Sequence, residues 1–402
     1  MKPGFYSVLA LAYAVVGCGS EAGPTTPEDS GSQNGGDVGA GEAGSDAPTS
    51  DATRSTDAGV ESGGGEAGND AGSSDARSAD AGGDASAAPM LLSETGLYAD
   101  IGKGTLGPDV IAYQPQFILW ADAATKNRWV KLPAGSQIDT SDMNFWSYPN
   151  GTKLFKEFAV GGVRLETRMI MKRSAGDWFM MSYQWNAAQT EAVAVPDGVV
   201  NASGTTHDIP SQQDCATCHG AMKDNVLGFT AIQLSHAIQG SLNLDQIVAK
   251  GWLTNPPAAG TKFVVPGNAV DQAALGYLHA NCGLCHNSLS NVFRTAVDVD
   301  VWLQVDKMST VAQTPTYTTL VGRATTGNIS HLALRVAPGD PPHSAVHELM
   351  ALRAAPGDAG AADNKRQMPP LATKVPDTTG GLAAIDAWIK QLPPVSADAG
   401  RD

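Results

Sequence analysis

Between residues 90 and 200, apolar and polar side chains follow patterns that are typical of β-strands. Residues 164–172 place Leu165, Thr167, Met169 and Met171 against Arg164, Glu166 and Arg168. Side chains of a strand point alternately to the two faces of a sheet, so this alternation predicts a strand with two different faces. Residues 129–132 alternate in the same way, and residues 117–120 and 178–185 are apolar runs of strand length.

Turn residues between these runs predict antiparallel pairing. Pro149-Asn150-Gly151 separates residues 145–148 from residues 152–158, and Asn-Gly is a strong hairpin signal. A second turn, residues 174–177, joins two further strand segments. We therefore expect an antiparallel sheet, either a small sandwich or an open barrel.

After residue 205 the apolar positions change to helical spacing. Leu382, Ile385, Ile389 and Leu392 predict a helix over residues 380–392. Asp271 is expected to cap a helix that runs to Cys282. Shorter helices are predicted at residues 230–238 and 244–250, so the chain is β first and α second.

The N-terminus is typical of an exported protein. Lys2 precedes an apolar run over residues 5–16, which predicts a secretory signal and is shorter than the roughly 20 residues of a membrane-spanning helix. Residues 15–18, Val-Val-Gly-Cys, resemble the lipobox of bacterial lipoproteins, which implies that Cys18 is lipidated. The alternative is an ordinary cleaved signal with an incidental cysteine. Gly19 is not the aspartate that signals inner-membrane retention, so we expect the outer membrane.

Residues 19–89 hold fourteen acidic and two basic side chains and no aromatic residue. Such a segment cannot bury enough apolar surface to fold, so we expect a disordered tether. The tether carries most of the net charge of −15. The sequence contains no basic patch that would predict nucleic-acid binding.

Four of the five cysteines lie in two CxxCH motifs, Cys215-Ala-Thr-Cys218-His219 and Cys282-Gly-Leu-Cys285-His286. Two thiols can add to the vinyl groups of a porphyrin, and the histidine can ligate its iron. The sequence therefore predicts two covalently bound haem c groups, with His219 and His286 as iron ligands.

Two other interpretations of these cysteines exist. A zinc site would need all four, but 63 residues lie between Cys218 and Cys282, which is longer than zinc ribbons use. An exported protein could also form disulfides. The histidine after each pair favours haem.

Methionine beside proline, in Met368-Pro369-Pro370, supplies a candidate second ligand for the haem at His286. Here residues 266–393 resemble a class I cytochrome c. The resemblance implies a helix before CxxCH, a late methionine loop and a C-terminal helix that crosses the first. It also implies that Gly276, Tyr277 and Trp388 pack at that crossing.

The segment 90–393 also resembles a poorly characterised family of exported di-haem cytochromes. The matching stretches are residues 92–97, 164–168, 183–190 and 337–340. The expected fold class is an α+β multidomain protein, in which a sandwich or open barrel precedes mainly α, cytochrome c-like haem domains. The expected domains are a signal peptide (1–17), a tether (18–89), a β domain (90–205), a first haem-binding region (206–265), a second haem domain (266–395) and a flexible tail (396–402).

For the haem at His219 the second ligand is unassigned. The main candidate is His236, and His207, Met308 or a methionine of the sheet could also serve. Met222 follows His219 too closely to reach the opposite side of the iron.

Three functions fit these patterns. An electron carrier, anchored by lipid and facing a periplasmic redox partner or dehydrogenase, would have two saturated irons. A haem enzyme would keep an open site on the first iron for peroxide, nitric oxide or hydroxylamine. A loose resemblance to hydroxylamine-oxidising cytochromes would make Lys153 or Lys156 a cross-linking residue, and a weaker one is to di-haem peroxidases. In the third interpretation, tryptophans of the β region line a recognition groove: Trp120, Trp129, Trp146, Trp178 and Trp185.

Overall fold

A computed structural model describes residues 88–326, 330–353, 367–370 and 373–394. All described residues belong to one compact unit. The predicted signal peptide, Cys18, the tether up to residue 87 and the tail 396–402 lie outside the described residues.

The dominant element is one antiparallel sheet in which neighbouring strands follow chain order. It comprises β3 (Ile111–Ala112), β4 (Thr125–Lys131), β5 (Lys153–Val160), β6 (Val163–Ser174), β7 (Asp177–Trp185) and β8 (Ala192–Ala194). A separate two-stranded ribbon pairs β1 (Tyr98–Asp100) with β2 (Thr105–Leu106).

Helices are few and mostly short in the described residues. They are α1 (Gln212–His219), α2 (Leu244–Ala249), α3 (Ala269–Asn281), α4 (Asn291–Thr295), α5 (Pro315–Leu320), α6 (Ala345–Ala351) and α7 (Gly381–Gln391). Single turns of 3₁₀-helix add to them, at Leu92–Thr95, Ala202–Gly204, Val305–Lys307, Val311–Gln313 and Pro341–His343.

The predicted fold class is wrong. A sheet-rich body with a six-stranded antiparallel sheet and few helices does not fit mainly α, cytochrome c-like haem domains. The six strands form a single meander in chain order, and the only other sheet in the described part is the two-stranded β1–β2 ribbon, which shares a core with one face of the meander. In the described part of residues 296–344, the helices are the six-residue α5 and single turns of 3₁₀-helix.

Several local predictions are confirmed. Residues 129–131, 153–158, 164–172 and 178–185 lie in β4 to β7, and residues 174–177 form the turn between β6 and β7. Helices α2, α3 and α7 lie where helical spacing placed them. The predicted cap of α3 at Asp271 is wrong, because the helix begins one turn earlier: the cap is Asn268, whose side chain accepts from the amides of Val270 and Asp271, while Asp271 completes the capping box.

Other local predictions are wrong. Residues 117–120 are irregular, since the amide of Phe117 bonds to the Gln233 side chain and that of Trp120 to Asn281. Residues 145–148 form only an isolated bridge between Ser147 and Asp139, so the Asn-Gly turn does not join two paired strands. Residues 230–238 form turns rather than a helix.

The two faces of the sheet belong to different cores. Val130, Leu154 and Ile170 face a core that includes Cys215 and residues 226–253. Trp129, Phe155 and Met169 face a second core with the β1 region. A third core joins α3 to α7 through Leu275, Leu278, Ile385 and Trp388.

Helices α3 and α7 pack against each other, but the glycine at their contact is not the one expected from the sequence. A β-carbon on Gly381 of α7 would overlap the ring of Tyr277 on α3. A β-carbon on Gly276 would instead overlap the ring of Phe117. The close approach of the two helices therefore depends on Gly381.

Candidate functional site

The first CxxCH motif lies on α1, which packs on strand β7. Ser211 caps the helix, because its side chain accepts from the amide of Asp214. The amide side chain of Gln212 donates to the carbonyl of Met180 at 2.7 Å, which fixes the helix to the sheet. Cys215 is buried in the adjacent core, and Cys218 and His219 follow on the last turn.

His219 is held in a form suited to ligate a metal. Its Nδ1 lies 2.6 Å from the carbonyl oxygen of Asn225. A carbonyl only accepts, so Nδ1 carries the proton and Nε2 keeps its lone pair. Burial lowers the pKa of His219 to about 4, so the ring is neutral at neutral pH.

The loop that supplies this carbonyl is anchored to the sheet by Asp224. The buried Asp224 carboxylate accepts from the backbone amide of Tyr148 at 2.6 Å, Nζ of Lys172 at 2.7 Å and Nε1 of Trp178 at 2.9 Å. Both charged side chains are buried, at 7% and 8% exposure. The next residue, Asn225, adopts a left-handed backbone conformation that turns its carbonyl towards His219.

The second motif begins at the end of α3, where Cys282 is the C-cap residue. The amide of His286 donates to the carbonyl of Cys282 at 2.8 Å, which continues one helical turn through the motif. Burial lowers the pKa of His286 to about 4. Its Nδ1 is buried with no hydrogen-bond partner in the described chain, an unusual state for a polar atom unless a further group is present.

A cavity of about 560 Å³ opens beside the second motif. His286 and Met368 both line it, although 82 residues separate them in sequence. The amide of Met368 donates to the carbonyl of Leu349 at 2.9 Å, which fixes the methionine loop to α6. Most of the remaining lining is apolar and includes Leu278, Leu289, Val292, Val297, Val299, Val301, Leu320, Val346, Leu349 and Met350.

All four motif cysteines have free thiols. Burial raises the pKa of Cys282 to about 12 and that of Cys285 to about 11, and it also raises the pKa of Cys215 and Cys218. Within the described ranges, no three His, Cys, Asp or Glu side chains are grouped as a metal ion would require.

The two motifs lie next to each other. Cys218 and Cys285 pack against one small apolar cluster, which consists of Phe145, Met222, Leu284 and Trp302. Cys218 also lines the same cavity as Cys282 and Cys285. In addition, the side chain of Asn287 contacts the sulfur of Met222 at 3.7 Å.

The candidates for a second ligand at His219 lie in different places. His207 lies on the sheet face towards α1, where its Nε2 is 2.7 Å from the Glu166 carboxylate. His236 is buried near Gln114 and Lys262, and its Nε2 has no partner among the described residues. Met308 belongs to the α3–α7 core. The side chain of His219 bonds to Asn225 and to none of these three.

The structure separates the two candidate cross-linking lysines. Lys156 lies on the sheet face that packs against α1, beside Leu154. Lys153 points to the opposite face, where its Nζ donates to the carbonyl of Thr95 at 2.8 Å. Four of the five tryptophans proposed for a groove are buried, namely Trp129, Trp146, Trp178 and Trp185.

Sequence reasoning missed the residues that position the first motif. Asp224 and Asn225 have no motif of their own, although an aspartate five residues after CxxCH in an apolar context is a weak signal. It also missed a set of cations on the α1 side of the sheet. The signal in the sequence was that each of three strands carries a basic residue two positions from a buried aliphatic residue, and therefore on the same face of the sheet.

No family model matches this chain, and neither a curated protein nor a solved structure matches it. None of the helices in the described residues is long and apolar enough to cross a membrane.

Proposed function

We propose that this protein is a di-haem c-type cytochrome that transfers electrons, with one haem c at each CxxCH motif. The observation that carries the proposal is the cavity at the second motif. Two potential iron ligands from distant parts of the sequence, His286 and Met368, line one mostly apolar cavity together with Cys282 and Cys285.

The residues present fit a covalently attached porphyrin. Both histidines are neutral at physiological pH because burial lowers their pKa to about 4, and neutral imidazole is the form that ligates iron. The cavity lies within the size range of pockets for small molecules and cofactors. When bound, haem supplies one-electron chemistry at its iron, and two haems attached at neighbouring motifs can pass electrons between them.

The chain's own groups favour electron transfer at the second motif. His286 and Met368 would both hold the iron, and methionine ligation would raise the reduction potential and leave no site for a substrate. The aliphatic lining keeps water away, which also stabilises the less charged, reduced state. Arg335, which lines the cavity, is held by Asp298 and by the carbonyl of Thr319 at 2.9 Å.

The experiment is a comparison of optical spectra of the reduced holoprotein before and after addition of carbon monoxide. Electron transfer at two six-coordinate irons predicts that neither Soret band moves. A shift of one band would contradict pure electron transfer and favour the enzymatic alternative. Met368→Ala serves as the positive control, since it should open one iron to carbon monoxide.

We further propose that the protein is exported and lipid-anchored through Cys18, with a periplasmic redox protein or dehydrogenase as partner. The support is the sequence of residues 1–18 and the acidic segment that follows. Cys18→Ala should move the protein from the membrane fraction to the soluble fraction. Continued membrane retention would contradict the anchor.

A further inference from the structure

A row of three cations crosses the sheet on the face that packs against α1. Strand register places Arg128 opposite Lys156, and Lys156 opposite Arg168. We call these three residues the basic row. Ser182 of β7 continues the row, and its hydroxyl donates to the carbonyl of Pro210, just before α1.

The basic row lies on the same side of the sheet as the first motif. Arg128, Lys156 and Arg168 each lie two positions along their strand from an aliphatic residue, and therefore on the same face. These aliphatic residues are Val130, Leu154 and Ile170, which share a core with Cys215. Arg168 lies near enough to Cys215 and Cys218 for its charge to act on both thiols.

The basic row has too few anionic partners in the described chain. Glu166 binds Arg168 through two hydrogen bonds of 2.9 and 2.6 Å and also pairs with His207. Arg128 is 6% exposed, and its side chain forms no hydrogen bond or ion pair with any described residue. Lys156 is half-buried and forms no ion pair with a described residue: its Nζ lies 4.8 Å from the centroid of Phe158, and the charge of Glu166 that reaches it belongs to a carboxylate already bound to Arg168.

Buried charges in proteins are normally paired, because removal from water without a counter-charge costs several kcal/mol. An unpartnered guanidinium beside a second, unpaired cation therefore indicates a missing anion. Arginine forms strong bidentate bonds with carboxylates, which makes a carboxylate a suitable ligand.

We propose that the basic row binds the propionate carboxylates of the haem attached at Cys215 and Cys218. The inference rests on the proposed function, since it requires haem at the first motif. It assigns Arg128 and Lys156 as the residues that bind the propionates. Arg168 lies beside them and stays paired with Glu166. The basic row does not line the mostly apolar cavity at the second motif, although Cys218 of the first motif does.

The test is a redox titration of the full-length holoprotein, followed by electron paramagnetic resonance so that the two haems are resolved. Arg128→Gln and Lys156→Gln should each lower the potential of the first haem, because loss of a nearby cation stabilises the ferric state. The second haem should keep its potential. Arg128→Lys preserves the positive charge, so the potential of the first haem should stay close to that of the unmodified protein.

Lys131→Gln is the matched control. It removes one positive charge from β4, but Lys131 shares the face of Trp129, away from α1. Its effect on the first haem should be clearly smaller than that of Arg128→Gln. Lys156→Gln keeps the test valid if Arg128→Gln does not fold.

Three outcomes separate the possibilities. A selective fall in the first potential supports the inference. Two attached haems with potentials equal to the Lys131→Gln control would overturn it and leave the proposed function intact. If inorganic phosphate shifts the first potential in the unmodified protein but not in Lys156→Gln, the basic row binds an exchangeable anion and the inference is wrong. Absence of haem from the unmodified protein would instead sink the proposed function itself.

Discussion

The two motifs share the CxxCH pattern but lie in contrasting surroundings. The first is held against a sheet by charged and polar contacts, with Asp224 anchoring the loop after it and the basic row beside it. The second lines a mostly aliphatic cavity between short helices, and Met368 is also part of the lining. A ferric haem is destabilised by nearby cations and by exclusion of water, so haems bound as proposed would have their potentials set by different means.

Under the proposed function, the motif would define haem attachment and its surroundings would define the redox properties. At the second motif, the proposed ligand comes from a proline-rich loop that lies 82 residues after His286 in sequence. At the first, positioning depends on the strands of the sheet, which precede the motif. Variants that affect one motif and spare the other are therefore the most informative.

The largest expected effect is a change of ligation at one haem only. Met368→Leu removes the thioether sulfur but keeps an apolar side chain, so the second haem should become high-spin and its potential should fall. The first haem should be unchanged in the same sample. Electron paramagnetic resonance of the oxidised protein measures both.

The control for that variant is Met350→Leu, since Met350 lines the same cavity but is not the proposed ligand. It should leave both haems low-spin. If the second haem stays low-spin in Met368→Leu, the assignment of Met368 is wrong.

The next largest effect concerns the anchor of the first motif. Asp224→Ala leaves Lys172 buried without its carboxylate, which should lower the free energy of unfolding by about 3–5 kcal/mol. Denaturant unfolding of the holoprotein gives this value.

Asp245→Ala is the matched control for Asp224→Ala, because Asp245 pairs with Lys262 at the surface. Exposed pairs contribute at most about 1 kcal/mol. Equal losses for the two variants would show that Asp224 has no special role in holding the loop.

A smaller effect is expected at the helix pair behind the second motif. Gly381→Ala would force a β-carbon into the ring of Tyr277, and such overpacking costs about 1–3 kcal/mol. Thermal unfolding measures the loss. Ala387→Ser, at an exposed position of α7, should be nearly neutral, and an equally mild Gly381→Ala would argue against close contact of α3 and α7.

The smallest effect is a pH dependence from His279. Burial lowers the pKa of His279 from 6.5 to about 3. Between these values the unfolded chain binds a proton that the folded chain does not. The contribution of His279 to the free energy of unfolding is therefore fully present above pH 6.5 and is lost as the pH falls towards 3. His279→Gln should remove up to about 1.4 kcal/mol per pH unit of that slope.

Denaturant unfolding at several pH values between about 4 and 7 measures the slope. The unmodified protein, unfolded under the same conditions, provides the control. A slope that is the same in His279→Gln and in the unmodified protein would contradict the prediction.

Local patterns predicted some of this structure well. Strict alternation in residues 164–172, with the turn at 174–177, was sufficient for β6 and its hairpin with β7. Helical spacing was sufficient for α7. These elements carry their own signal, because their buried faces repeat with a fixed period.

Other features depend on contacts that no local pattern contains. Residues 117–120 have strand composition, yet distant side chains, Gln233 and Asn281, satisfy their backbone. The predicted cytochrome-like fold class is wrong because it rested on a motif, a methionine loop and a terminal helix. These three features do not determine the structure of the residues between them. The basic row needed the register of three strands, since Arg128 and Arg168 become neighbours only across β5.

Haem content per chain is the measurement that tests the central claim most directly. The protein would be produced in a host that matures c-type cytochromes, and its intact mass and peptide masses would be determined. We predict two covalently bound haems, one on the peptide with Cys215 and Cys218 and one on the peptide with Cys282 and Cys285. A mass equal to that of the processed polypeptide and its lipid, without haem on either peptide, would contradict the account.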